Sequence, residues 1–124
     1  MKTMYPVLGA LGAVLVLASG SALSQSLKKT DGILTDAAGM TVYTFDKDTA
    51  GSGKSACNGQ CASMWPPVPV TGGSVASPYS TVTRDDGSKQ LAYKGKPLYL
   101  YAKDAKPGER KGDKAMDVWH VVSD

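Results

Sequence analysis

One stretch of this chain occurs twice. Gly39 to Asp48 reads GMTVYTFDKD, and Gly95 to Asp104 reads GKPLYLYAKD. Gly39 corresponds to Gly95, Tyr43 to Tyr99, Phe45 to Tyr101 and Asp48 to Asp104. Each copy runs into a polar, glycine-rich segment, TAGSGKSACNG in the first and AKPGERKGDKA in the second. Each then reaches a tryptophan, Trp65 or Trp119, at a similar distance. Internal repetition constrains architecture more than any local propensity does. Two copies are too few for a solenoid, so the expectation is a duplication inside one compact body. Equivalent aromatic positions would then share a core.

Within each copy the apolar period is two. Tyr43 and Phe45 alternate with Val42 and Thr44, and Tyr99 and Tyr101 alternate with Leu98 and Leu100. Short β-branched and aromatic runs of this kind read as strands. Because both faces carry apolar groups, these strands are expected to be packed on two sides. Pro97 lacks a ladder donor and belongs at a strand start or edge. GILT, Gly32–Thr35, is expected to pair with the Thr41–Phe45 strand across the DAAG turn. YSTVTR, the DDGS turn, KQLAY, KGK and PLYLY predict a three-strand meander from Tyr79 to Tyr101. VWHVV predicts a last strand. The one helical signal is a turn over Gly59 to Met64, halted by Pro66 and Pro67. VPVTGGSVASP reads as a surface loop inside the domain. The predicted fold is mainly β, a small single domain of short antiparallel strands. It is built from two related halves, about 31–70 and 79–122, with long ordered loops.

The N-terminus bears Lys2, an apolar run from Val7 to Ala18 and then small residues. That order predicts a secretory signal peptide over 1–24, leaving a mature domain over 25–124 with no stable membrane span. A domain of about 100 residues buries a modest fraction of its surface, so a crosslink matters. Fourteen Lys and Arg stand against 11 Asp and Glu, a net charge of +3 with the signs interspersed. No polybasic tract argues for nucleic acid.

Cys57 and Cys61 are the only cysteines. In an oxidising compartment they should pair. Their spacing is C-x-x-x-C, without the βαβ setting of a redox C-x-x-C pair. A structural disulfide that pins the glycine-rich loop is favoured. A redox pair and a half metal site remain as rivals. The soft ligands Met40, Met64, Met116 and His120 are scattered, and Met64 is expected to fill core, as is Met116. His120, the single histidine, follows Trp119; if Trp119 points inward, His120 faces out. It and Met64 are the candidate ligands of a copper or haem reading. No serine has a triad setting, and DKDTAG fails the calcium-loop pattern at Ala50 and Cys57. Asp48 and Asp104 are expected to tie turns by accepting backbone hydrogen bonds. Trp65 and Trp119, with the repeat aromatics, are expected either to form core or to floor a ligand face.

YTFDKD and YLYAKD both match a Tyr-x-aromatic-x-x-Asp motif. Together with SACNGQCASMWPPV and VWHVV, they make the chain resemble the bacterial secreted-repeat lipoproteins of unknown function. The resemblance covers about 31–122. It carries over to Tyr43, Phe45, Asp48, Cys57, Cys61, Trp65, Pro66 and Pro67, and in the second unit to Tyr99, Tyr101, Asp104 and Trp119. It implies no catalytic activity and no cofactor. No lipobox cysteine is present, which sets this chain apart from lipid-anchored members. The expected protein is a periplasmic or secreted, non-enzymatic envelope protein with a binding or structural role. Its partner would be another envelope protein or a small ligand. The rival is a periplasmic redox or metal-handling protein.

Overall fold

The computed structural model describes residues 27–71 and 75–123. The expected signal peptide lies outside these residues, as does the centre of the VPVTGGSVASP loop. The fold is mainly β, with short antiparallel sheets and one short helix.

Strand β1 (Lys28–Thr30) and β2 (Ile33–Thr35) form a hairpin, with Lys28 opposite Thr35 and Thr30 opposite Ile33. Its two-residue turn, Asp31-Gly32, has φ of 52° and 85°. Left-handed backbone at both positions matches the twist of the strands, which is why Asp-Gly suits it. Strand β1 is exposed at every residue, so it gives no apolar signal in the sequence. The expected pairing of β2 with the next strand is limited to a single bridge, Thr35 to Thr41. The turn does close, because Asp36 Oδ1 accepts from the amides of Ala38 and Met40, each at 2.9 Å. Beyond it, the chain turns away to meet the second repeat.

Strand β3 (Tyr43–Phe45) instead pairs with β7 (Trp119–Val121), with Tyr43 opposite Val121 and Phe45 opposite Trp119. The predicted meander is present as β4 (Tyr79–Thr83), β5 (Lys89–Tyr93) and β6 (Lys96–Pro97), but its third strand is shorter than PLYLY, because Tyr99 leaves to bridge Tyr43 and Pro67. Helix α1 (Gln60–Met64) stops before Pro66 and Pro67. A 3-10 turn, Ala115–Asp117, precedes β7.

The repeats meet at equivalent residues. The Tyr43 amide donates to the Tyr99 carbonyl at 2.8 Å, and the Tyr99 amide returns a bond to Tyr43 at 2.9 Å. The alternation seen in the sequence therefore feeds two cores. Val42 and Leu98 pack with Leu34, Val68, Leu91 and Val122 on one side. Tyr43, Tyr99, Trp65, Trp119 and Cys57 form the other. Double packing explains the apolar residues on both faces at Val42–Tyr43 and Leu98–Tyr99.

Candidate functional site

The aromatic core is built from both repeats in strict alternation. Phe45, Trp119, Trp65 and Tyr101 stack in that order. Ring centroids are 4.1 Å apart for Phe45–Trp119, 3.7 Å for Trp119–Trp65 and 4.1 Å for Trp65–Tyr101. The two indoles lie 3° from parallel. Tyr43 meets Trp65 edge-on at 5.5 Å, and Tyr99 meets Trp119 in the same way at 5.1 Å. T-shaped pairs such as these two are a favoured aromatic geometry, worth about 0.5–1.5 kcal/mol each beyond burial. Trp65 is 4% exposed and Trp119 1%, while Tyr43 and Tyr99 are fully buried. Gly112 permits this packing. A Cβ there would stand 2.6 Å from Trp65 Cη2.

Each motif is completed by the other copy. The Tyr43 hydroxyl donates to Asp104 Oδ2 at 2.6 Å, and the Tyr99 hydroxyl donates to Asp48 Oδ2 at 2.6 Å. The second carboxylate oxygen ties a loop of its own repeat. Asp48 Oδ1 accepts from the Ala56 amide at 2.6 Å, and Asp104 Oδ1 from the Lys111 amide at 2.9 Å. Burial first, and then donation to the carboxylate, push both phenols far above their usual 10.0. They stay neutral and act as donors, not as bases or nucleophiles. Burial also raises Asp48, against the opposing pull of Tyr99, the Ala56 amide and Arg84. Period-two reading finds these residues but not their exchange, because the partners lie over 50 positions apart.

Arg84 is the functional-looking residue that sequence reasoning missed. It is 6% exposed. Its Nη2 donates to the Cys57 carbonyl at 2.5 Å, and its Nη1 to Gln90 Oε1 at 2.7 Å and Ser55 Oγ at 3.1 Å. Ser55 Oγ shares a 2.6 Å hydrogen bond with the Tyr99 hydroxyl, so the buried cation joins the tyrosine network. Only its place at the end of the YSTVTR strand was visible beforehand, and that carries no signal for a clamp.

Cys57 and Cys61 are disulfide-bonded, with their Cα atoms 5.2 Å apart. Cys57 is fully buried. The Trp65 amide donates to the Cys61 carbonyl at 2.8 Å, so the bridge leads directly to the indole.

The methionines depart from expectation. Met64 is 38% exposed and Met116 76%, so neither fills core. Met64 is the last residue of helix α1, which has no buried residue. Met116 is turned outward by a left-handed backbone at φ 50°. Both line one groove of about 380 Å³, whose walls include Phe45, Trp65 and Trp119 and whose charged member is Lys47. His120 lies elsewhere. Its Nε2 stands 2.7 Å from Asp46 Oδ2, and it lines a second cleft with Thr44, Lys94 and Lys96. The candidate ligands Met64 and His120 are thus not brought together, and the two cysteine sulfurs are bonded to each other. Among the described residues, no three His, Cys, Asp or Glu side chains group as a metal site, and no helix is long and apolar enough to cross a membrane.

Residues 25–69 and 80–123 each match the sequence pattern of a family described as a secreted repeat of unknown function. No curated protein and no solved structure matches the chain. Each matched unit contains one Tyr, one Asp and one Trp of the exchanged constellation. The location that follows is export, periplasmic or secreted. With both repeats matched over most of its length, the chain belongs to the family of secreted repeats of unknown function.

Proposed function

We propose that this exported protein is a non-enzymatic binding module, with an export signal over 1–24 and its ligand seated in the groove between Met64 and Met116. The observation that carries this reading is the exposure of these two methionines at one groove. A domain that buries Tyr43, Tyr99, Trp65 and Trp119 has core capacity for large apolar groups. Met64 and Met116 instead stay exposed on one groove, and clustered exposed apolar surface marks interaction sites. Methionine is unbranched and polarizable, and it is overused at adaptable binding surfaces. The groove volume suits a small ligand or a single large side chain of an envelope partner. The neutral, hydrogen-bonded phenols and the oxidised cysteines supply rigidity behind it, not bond chemistry. The duplicated core is the scaffold, and the methionine groove is the part that does the binding.

Titration with small aromatic and aliphatic probes, followed by the ε-methyl NMR signals of methionine, tests the reading. Met64 and Met116 should shift selectively and saturably. Met64→Lys combined with Met116→Lys should abolish binding while changing stability by only about 0.5 kcal/mol, as surface substitutions do. Shifts spread evenly over the surface, or binding untouched by the double change, would count against it.

A further inference from the structure

We propose that Met64 and Met116 form a reversible oxidation site, at which a hydroperoxide turns the groove surface from apolar to polar and leaves the fold intact. Such a site is independent of what the groove binds. Peroxides attack reduced sulfur ahead of other side chains, and susceptibility follows exposure. The described residues hold no free cysteine, because Cys57 and Cys61 are bonded to each other. The reduced sulfur that remains among them is in the thioethers of Met40, Met64 and Met116. Met116 is 76% exposed and Met64 38%. Met40 is half-buried, in the turn where its carbonyl accepts from the Asp36 amide at 2.9 Å. A peroxide reaching this molecule therefore meets Met116 first, Met64 second and Met40 last. Trp65 and Trp119, which harsher oxidants would damage, are buried.

The sulfur lone pair attacks the terminal peroxide oxygen, so an S–O bond forms as the O–O bond breaks. The hydroxyl proton passes to the departing oxygen, which leaves as water or an alcohol. Sulfur loses two electrons and the peroxide gains them. The product is a sulfoxide, polar and chiral where the thioether was flexible and apolar. Inside a core that change disrupts packing. Here neither carrier element contributes to a core, since α1 and the 3-10 turn at Ala115–Asp117 hold no buried residue. Both side chains line one groove, so the two added oxygens polarise a single patch of surface. The exposure that admits the oxidant also admits a repair enzyme. The dithiol of a methionine sulfoxide reductase supplies two electrons, closes to its own disulfide and carries the oxygen off as water.

The test exposes the disulfide-bonded protein to a graded series of hydrogen peroxide, with each methionine read by peptide mass mapping. Met116 and Met64 should gain oxygen ahead of Met40. Once both are sulfoxides and Met40 is still intact, the urea midpoint and the near-ultraviolet circular dichroism should be unchanged. The same material should elute earlier from a hydrophobic-interaction column. Reduced sulfoxide reductases, one for each sulfoxide epimer, should restore both mass and elution. They are added without free thiol, so that the Cys57–Cys61 bridge stays closed. Met64→Leu combined with Met116→Leu keeps the groove apolar without its thioethers, and peroxide should leave the elution of that variant where it was. Oxidation of Met40 in step with Met64 and Met116, a midpoint that falls with the two sulfoxides, or elution that they leave unchanged overturns the proposal. Sulfoxides that the reductases leave in place overturn its reversibility.

Discussion

Tyr43 and Tyr99 show how much one hydroxyl can carry. Each is fully buried, and each gives its proton to a carboxylate of the other repeat. Tyr43 also accepts from the Gly112 amide at 3.1 Å. Tyr43→Phe would strand that amide and one oxygen of Asp104, at a cost of about 1–3 kcal/mol for a buried unsatisfied group. The raised phenol values add a pH signature. An unfolded tyrosine loses its proton near 10, while these folded ones keep theirs. The stability they contribute is whole below that pH and drains away as the pH climbs above it. Each of these two protons adds a slope approaching about 1.4 kcal/mol per pH unit, on top of a contribution from Tyr79, whose phenol burial also raises, and Tyr43→Phe should remove one such increment. Urea unfolding at a series of alkaline pH values, in wild type and in Tyr43→Phe, measures both slopes. Equal slopes would show that the Tyr43 proton is not held as described.

At the scale of elements, helix α1 is the least self-sufficient. It has five residues, no side-chain cap and no acidic residue in its first turn, and a helix so short does not hold itself together in water. The Cys57–Cys61 bridge and the Arg84 clamp on the Cys57 carbonyl fix it from outside. Reduction, or Cys57→Ser with Cys61→Ser, should cost about 2 kcal/mol on the loop-entropy estimate for so short a ring. The denaturant midpoint with and without reductant gives the number, and tryptophan emission shows whether Trp65 leaves the stack. The elements differ in how openly the sequence declares them. The Tyr79–Tyr101 meander, the turn of helix ended by Pro66 and the closing strand at Trp119 were legible, because alternation and turn residues are local. The pairing of β3 with β7 was not, since nothing near Tyr43 names Trp119's strand as its neighbour. For the site, the aromatic positions and the cysteine pair were legible as repeats. The outward turn at Met116 was hidden, because it depends on a left-handed backbone that no residue type there announces.

Across the whole molecule the two repeats are interdependent. They exchange tyrosine for aspartate, interleave their rings in one stack and share the aliphatic core of Leu34, Val42, Leu91 and Leu98. A polypeptide of 25–71 or of 75–124 would expose its half of that stack and leave its tyrosine without an acceptor. Each should be unfolded alone, while the full domain should melt in one transition, with far-ultraviolet circular dichroism and tryptophan fluorescence superimposed. A double-mutant cycle between Tyr43→Phe and Asp104→Asn should give a coupling of about 0.5–3 kcal/mol, as contacting groups do. Two separated transitions, or zero coupling, would contradict a single cooperative body.

The swap of side chains also sets a rule of parity. A unit that lends its phenol and borrows a carboxylate is never finished by itself, and with the exchange reciprocal, copies close in pairs. A third added to such a pair would be left over, and a polypeptide carrying a solitary copy would have to find its counterpart in a neighbouring molecule.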